Sequence, residues 1–510
     1  MSDLSSRSVS AVLWGGGGSV LRLALQIGAQ AVLARLLGPT EYGVFAIGSI
    51  VISFSAFFAD VGLAYGLIQK REVSDQDVRF AFTWQFVIGL LVSLVLVGLS
   101  GVLADFFGEP RAKDVICVMS LICLVNAIGT PAGCLLKRSM DFKTQQIVFL
   151  FSYAVGFLGV GIAVALAGYG VWALVAAWGT QCAVHSALLY LATRHPVRPL
   201  FWYVEARAQA LYGGTVLATN LLNWTIGNID RVVVGRLMPA HSIGIYATSY
   251  NLIYGPTANV LGILQPVFFS ASARAVQRDA FDQEHSPLER GFSTLIAAIC
   301  LYLLPAFLCI AVVSQSLVLA LYGNAWAEAA ETLRPLALAM PFFLIWGLCT
   351  PVLWASGNPG SEFGSQWPVA IAWGLGCWML ARWGGIQAVA WGTLALFILR
   401  CSVMILMINR LAGLGLGSIW RAARGGLLIS VLMAVVAGLV DGALRASHSS
   451  PLLCLAGATL SALVIFVLTL RCAPGLVAAE LGALTQRVLE RIPSRWAQRL
   501  QWLGGKEQTS

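Results

Sequence analysis

Few residues in the apolar stretches of this chain could do chemistry, and most fall on helical spacing. Arg22, Gln26 and Gln30 recur at i, i+4 and i+8, which puts them on one face at 3.6 residues per turn. Asn220, Asn223, Gly227 and the pair Asp230/Arg231 recur at i, i+3, i+7 and i+10/11, a second polar stripe. Tyr246, Tyr250 and Tyr254 form a third row, with Asn251 and Asn259 nearby. Asp60, near Ser49 and Ser53, and Arg400 complete the set. An excess of arginine over carboxylate suits an anionic ligand such as phosphate or diphosphate, because guanidinium recognises oxyanions with paired hydrogen bonds. A tyrosine row can stack on sugar faces and donate hydroxyl hydrogen bonds; Tyr246 fits an aromatic at a membrane edge equally well. Asp60 and Asp230 are the candidates to exchange with these arginines or to bind a coupling ion. Asp230 and Arg231 lie about one turn from a helix end, so snorkelling competes with a site role. Arg400 has the same two readings. His185, isolated among apolar residues, reads as a core histidine rather than a proton relay.

Composition says what positions these residues. Of 510 residues, 58% are hydrophobic and 11% charged, with a mean hydropathy of +0.80. A soluble domain carries roughly 25% charged residues. Half that charge cannot coat several water-facing domains, which excludes a soluble enzyme, a disordered chain and a nucleic-acid binder. An all-α, polytopic membrane protein remains. Apolar runs long enough to cross a bilayer predict fourteen helices, near 12–34, 43–68, 81–104, 115–136, 147–167, 172–193, 212–234, 244–270, 293–322, 333–356, 366–382, 386–408, 425–445 and 451–471. The eleventh is short and interrupted by Gly374 and Gly376. The polar start, Met1 to Ser10, runs into the first span without an A-x-A cleavage pattern, so it reads as part of that span and not as a removed signal peptide. The cysteines, such as Cys117, Cys123, Cys134, Cys300 and Cys309, sit in apolar runs with no C-x-x-C pair and read as small core residues.

An even number of spans puts both termini on one side. With that side cytoplasmic, 22 of the 32 Lys and Arg fall in inner loops and tails, 7 in outer loops and 3 within spans. The bias toward the inside fixes the orientation. No outer loop exceeds about a dozen residues, which disfavours a membrane glycan polymerase or ligase. No P-loop, H-E-x-x-H or G-x-S-x-G appears, so no enzyme, cofactor or metal chemistry is predicted.

An internal repeat organises the spans. Arg35-Leu36-Leu37-Gly38-Pro39 precedes Gly43-Val44-Phe45-Ala46, and Arg236-Leu237-Met238-Pro239 precedes Gly244-Ile245-Tyr246-Ala247. Both copies occupy the first outer loop of a six-helix block. The expected organisation is therefore a cytoplasmic N-terminus (1–11), an N-lobe of helices 1–6 (12–193) and an inter-lobe linker (194–211). A C-lobe of helices 7–12 (212–408), helices 13–14 (425–471) and a cytoplasmic tail (472–510) follow. Two six-helix lobes of the same orientation around a central, hydrated cavity is the architecture of an alternating-access transporter. In the tail, Val477, Leu481, Leu484 and Val488 mark an apolar face. Arg487, Arg491, Arg495 and Arg499 form a basic stripe, with Pro493 as a break and Trp496 and Trp502 beyond. Such a helix lies on an anionic membrane surface.

The stretch Ala34 to Ala46, the run Asp60-Val61-Gly62-Leu63 followed by Leu67-Ile68-Gln69, and Leu321-Tyr322-Gly323-Asn324-Ala325-Trp326 together resemble bacterial polysaccharide transporters. These are the Wzx-type lipid-linked oligosaccharide flippases of the multidrug/oligosaccharidyl-lipid/polysaccharide exporter superfamily. The resemblance implies a two-lobed, fourteen-helix fold in the bacterial inner membrane. It implies translocation of an undecaprenyl-diphosphate-linked glycan for exopolysaccharide or O-antigen biosynthesis. The implied partners are the lipid-linked oligosaccharide, membrane lipids and the polysaccharide polymerase and export machinery. Gln69-Lys70-Arg71-Glu72 departs from the G-x-x-x-D-R-x-G-R-R loop of the major facilitator pattern. In this reading Arg22 binds diphosphate, with Arg400 and Arg231 as further candidates, and the tyrosines contact sugar. Two competing readings are a cation-coupled drug exporter, whose cavity should favour carboxylates, and a scaffold acting through the arginine-rich tail.

Overall fold

The computed structural model describes residues 2–59, 67, 73–203, 224–225, 227–279, 287–356 and 359–473, and every regular element among them is a helix. Eleven of these helices are long and apolar enough to cross a membrane, which is compatible with fourteen spans. Two of the eleven each hold a pair of expected helices. The seventh expected helix, 212–234, falls mostly outside the described residues, as do Asp60, Asn220, Asn223 and the tail from 474 onward. Helices dominate because hydrocarbon offers backbone groups no partner, so each span must satisfy its own N–H and C=O groups.

The chain divides into two compact units, Met1–Thr248 and Ser249–Ser510. In the first, α1 (Ser2–Ala59) breaks at Gly38, where φ is 74° and ψ is 175°. Only glycine takes that conformation without strain, and Pro39 suits the first position of the helix that resumes. The expected loop over 35–42 is thus a single-residue break. α2 (Asp75–Phe107) starts at a capping box, in which Ser74 Oγ accepts from the Asp77 N–H and Asp77 Oδ2 accepts from the Ser74 N–H at 2.9 Å. α3 (Ala112–Arg138), α4 (Phe142–Leu166) and α5 (Trp172–Thr193) complete the set.

Glu41, just past the break, ties three turns together. Its Oε1 accepts from Arg111 Nη1 at 2.9 Å and its Oε2 from the Val171 N–H at 2.7 Å, while Arg111 Nε donates to Glu109 at 3.0 Å. At the opposite end, residues 195–203 lie along the start of α2 as an extended strap. Arg79 donates to the carbonyls of Arg198 and Pro199, the Leu200 N–H donates to Thr83 Oγ1, and Trp84 Nε1 donates to the Phe201 carbonyl. Tyr203 OH donates to Asp77.

The two repeat copies meet within this unit. A Cβ on Gly43 would overlap the Ala240 carbonyl, and one on Gly244 would overlap the Pro39 carbonyl. Helices in lipid have no hydrophobic drive to associate and rely on close packing, which small residues permit. The repeat's glycines are where the two backbones touch. Tyr246, beside this crossing, is 1% exposed and donates to Asp230 Oδ2 at 2.7 Å. It is a buried donor, not an aromatic at the membrane edge, because a buried carboxylate needs a hydrogen-bond partner.

The second unit holds most of α6 (Ala240–Asp279), then α7 (Leu288–Val312), α8 (Ser314–Leu321), α9 (Ala329–Ala355) and α10 (Pro359–Ala412). α11 (Leu416–Ala446) and α12 (Pro451–Cys472) close it. The expected single span 293–322 is divided at Val313 into α7 and α8. α10 breaks at Gly385, with φ 64°, and not at Gly374 or Gly376, which stay helical. α9 is the most enclosed span. Ser430 of α11 donates toward the Cys300 carbonyl, 3.1 Å away, which a π-helical turn over Ile299–Leu303 leaves accessible. None of the cysteines is paired in a disulfide, and most are buried.

Two outcomes follow from these contacts. Gly43→Ala should cost about 1–3 kcal/mol, the range for overpacking, read as a lowered thermal unfolding midpoint. Gly98→Ala, where a Cβ meets nothing, should leave that midpoint unchanged. His195 sits at the start of the strap against Phe82 and Tyr190, at 5.5 and 5.3 Å. Burial pushes its pKa below the ordinary 6.5, against the opposing hydrogen bond to the Pro196 carbonyl. The folded strap therefore binds fewer protons than the released one, and its stability is complete above about 6.5 and declines as pH falls below that. Limited proteolysis of the strap should accelerate between about pH 7.5 and 5.5, and His195→Leu should flatten that dependence.

Candidate functional site

A polar cavity of about 360 Å³ lies inside the first unit, bounded by α1, α3, α4 and α5. α1 contributes Arg22. α3 contributes Asn126, Thr130 and Lys137, spaced so that they share a face with Gly133. α4 contributes Gln145, Gln146 and Phe149, and α5 contributes His185 and Ser186. Among the described residues the wall carries one arginine, one lysine and several amide and hydroxyl groups, and no carboxylate.

Arg22 is held by packing rather than by an ion pair. Its guanidinium carbon lies 3.7 Å from the centroid of the Phe149 ring, a cation–π contact that supports the charge without neutralising it. Its Nε is buried without a hydrogen-bond partner, and so are Gln145 Nε2 and Gln146 Oε1. Buried polar atoms are normally satisfied, so such a cluster marks a place built for something else. Phe149 also meets the His185 ring edge-on at 6.2 Å, and His185 Nδ1 lies 3.4 Å from Ser152 Oγ. His185 therefore stands on the cavity wall, not in a sealed core. The back of the site is closed by Ser186 Oγ, which donates to the Val125 carbonyl at 3.0 Å. An oxyanion placed against Arg22 would meet guanidinium, ammonium and amide donors together, without carboxylate repulsion.

The other sequence candidates lie elsewhere. Gln26 and Gln30 are half-buried and do not line this cavity; the Gln30 carbonyl accepts from Tyr42 OH at 3.4 Å. Asp230 is buried and bonded to Tyr246, and Arg231 Nη1 donates to Asn228 Oδ1 at 3.1 Å. In the second unit, Arg400 is buried. Its Nε and Nη2 donate to Gln366 Oε1 at 3.1 and 2.8 Å, and its guanidinium rests 3.9 Å above Trp346. The Tyr250 and Tyr254 rings meet at 4.9 Å, tilted by 32°, and Tyr254 packs on Phe343 at 5.3 Å. Nearby, Glu362 accepts from Thr350 and Trp354 at 2.7 and 2.8 Å. The structure thus brings Arg22 together with residues the sequence reading did not single out: Asn126, Thr130, Lys137, Gln145 and Gln146. Their signal was the polar spacing Asn126, Thr130, Gly133, Lys137 in α3.

Residues 32–331, more than half of the chain, match the family described as "Polysaccharide biosynthesis protein". The chain belongs to this family. It is 25% identical over 384 residues to the succinoglycan biosynthesis transport protein ExoT of Rhizobium meliloti (strain 1021), covering 75% of this chain and 74% of that one. It is 22% identical to the teichuronic acid biosynthesis protein TuaB of Bacillus subtilis (strain 168), covering 86% and 89%. It is 24% identical to the lipopolysaccharide biosynthesis protein WzxC of Escherichia coli (strain K12), covering 66% and 67%. Among solved structures, the lipid II flippase MurJ in its inward closed conformation superposes with a TM-score of 0.67 at 11% identity, covering 89% of this chain and 97% of that one. An inward-facing multidrug resistance MATE family transporter superposes at 0.58 with 12% identity, covering 76% and 94%. At these identities the likeness establishes the fold: an all-helical, multi-pass membrane protein of the MurJ and MATE type.

Arg22→Gln should weaken binding of inorganic diphosphate to the purified protein by about 1.5–3 kcal/mol, the worth of a hydrogen bond to a charged group, measured by titration calorimetry. Gln26→Ala should leave that affinity unchanged.

Proposed function

We propose that this protein is a flippase. It carries an undecaprenyl-diphosphate-linked oligosaccharide repeat unit across the bacterial inner membrane by alternating access, for exopolysaccharide or O-antigen biosynthesis. The observation that carries the proposal is the cavity around Arg22: cationic, rich in amides, without a carboxylate among the described residues, and set among membrane-spanning helices. Such a wall suits a diphosphate, while the lipid tail stays in the bilayer and the glycan follows the head. The relatives named for transport or biosynthesis of succinoglycan, teichuronic acid and lipopolysaccharide support the same reading, as does the fold shared with a lipid II flippase.

Both termini are cytoplasmic in this proposal, from the lysine and arginine bias. The chain is organised as two six-helix lobes with two appended helices, which the paired glycines of the repeat support. The tyrosines Tyr250 and Tyr254 contact sugar, Asp230 is the coupling-ion candidate among the described residues, and polymerase and export proteins are the downstream partners. A drug exporter of the same superfamily takes cations, which an arginine- and lysine-lined wall repels.

In a deletion strain, the wild-type gene should restore surface polysaccharide. Arg22→Ala, inserted in the membrane at normal level, should not, and lipid-linked glycan should accumulate on the inner leaflet. Normal translocation by that variant would remove Arg22 from the mechanism. Altered drug susceptibility with intact polysaccharide would favour the exporter.

A further inference from the structure

A second cavity, about 520 Å³, lies on the other side of the α3–α5 pair, and almost all of its wall is apolar. Val118, Leu121 and Val125 of α3 face Trp172, Val175 and Gly179 of α5 across it. It shares no lining residue with the Arg22 cavity. The seam between the two is closed by the Ser186–Val125 hydrogen bond and by Gly129, where a Cβ would collide with Ser186. Its mouth is formed by exposed Val118, Leu121, Tyr169 and Trp172 on spans that stand in a bilayer. The cavity is therefore continuous with the lipid-facing surface and not with the polar site.

The dimensions and the rim identify the occupant. From Val118 to Val125 and from Trp172 to Thr180 the helices rise about 10–12 Å, within one half of a hydrocarbon core roughly 30 Å thick. Tyr169 and Trp172 mark the interfacial end. Arg111, Asp114, Val118, Leu121 and Val125 recur along one face of α3, so an acid and a base stand above the apolar wall. Arg111 uses Nη1 and Nε on Glu41 and Glu109, which leaves Nη2 to donate elsewhere, and Asp114 is exposed. A rim carrying both signs matches a headgroup carrying both signs.

We propose that this cavity binds a zwitterionic phospholipid of the leaflet at the Arg111 end. One acyl chain lies between α3 and α5, the phosphate faces Arg111, and the ammonium faces Asp114 and Glu109. The proposal does not depend on which glycan is moved. The lipid stands behind the same two helices whose other faces line the polar cavity, so its presence sets the spacing of the seam between them.

The test uses the full chain in phosphatidylethanolamine–phosphatidylglycerol vesicles with a phosphatidylethanolamine tracer bearing a photoactivatable acyl chain, followed by peptide mapping. Labelling should concentrate on 118–125 and 172–180. Gly179→Leu fills the cavity where a Cβ meets only open space. It should abolish that labelling while labelling of the lipid-exposed α12 stays at the wild-type level, which also reports that the variant is folded. Asp114→Asn should reduce the preference for a phosphatidylethanolamine tracer over a phosphatidylglycerol one. Label spread evenly over all spans, or retained in Gly179→Leu, overturns the site. Displacement of the label by unlabelled undecaprenyl phosphate overturns the phospholipid assignment in favour of an isoprenoid chain. An unchanged tracer preference in Asp114→Asn overturns the headgroup contact.

Discussion

A guanidinium at membrane depth must be solvated by something, and how Arg22 meets that demand governs the rest of the first unit. Intramembrane charges are costly and persist where they face a cavity or a partner. Among the described residues Arg22 has no carboxylate on it. It leans on the Phe149 ring and faces a cavity whose walls supply amide oxygens and hydroxyls. That arrangement leaves its charge available. Arg400 meets the same demand the opposite way, with Gln366 at its edge, Trp346 beneath it and almost no exposure. One arginine keeps an unpartnered Nε beside a polar cavity, and the other is hydrogen-bonded by the protein.

The cavity exists because the surrounding helices are held apart and together at defined points. At one end Glu41 holds the α1 break, the α2–α3 turn and the α4–α5 turn on a single carboxylate. At the other, the 195–203 strap is stitched to α2 by hydrogen bonds that Arg79 and Trp84 donate and that Thr83 Oγ1 accepts from the Leu200 N–H. Beside Glu41, contact is made where side chains vanish. The two copies of the repeat approach until carbonyls of one stand where side chains of the other would be. In lipid, where apolar burial brings helices no advantage, such contacts carry the specificity of packing.

The α3–α5 pair presents two unlike environments within a few turns. One side carries Asn126, Thr130 and Lys137, and the other carries Val118, Leu121 and Val125. The seam of small residues between them separates the two environments.

Much of this was legible from residue order. Hydropathy and length dictate helical spans, because the cost of unsatisfied backbone in hydrocarbon is the same whatever the neighbours. The deep arginines and the repeat around Gly43 and Gly244 also stand out in one dimension. Helix breaks were less legible: Gly38 and Gly385 turn the chain without a loop, while Gly374 and Gly376 do not, and no local pattern distinguishes them. The cavity itself could not be read. Gln26 shares a face with Arg22 yet stays off its wall, while Lys137, at the end of α3, reaches it. Which face of a helix meets water, lipid or another helix depends on neighbours distant in the chain. Sequence alone therefore determined that this is a many-helix membrane protein with cations at depth. Only the tertiary structure decided which of those cations is left free, because that depends on the partners packing brings within hydrogen-bond reach.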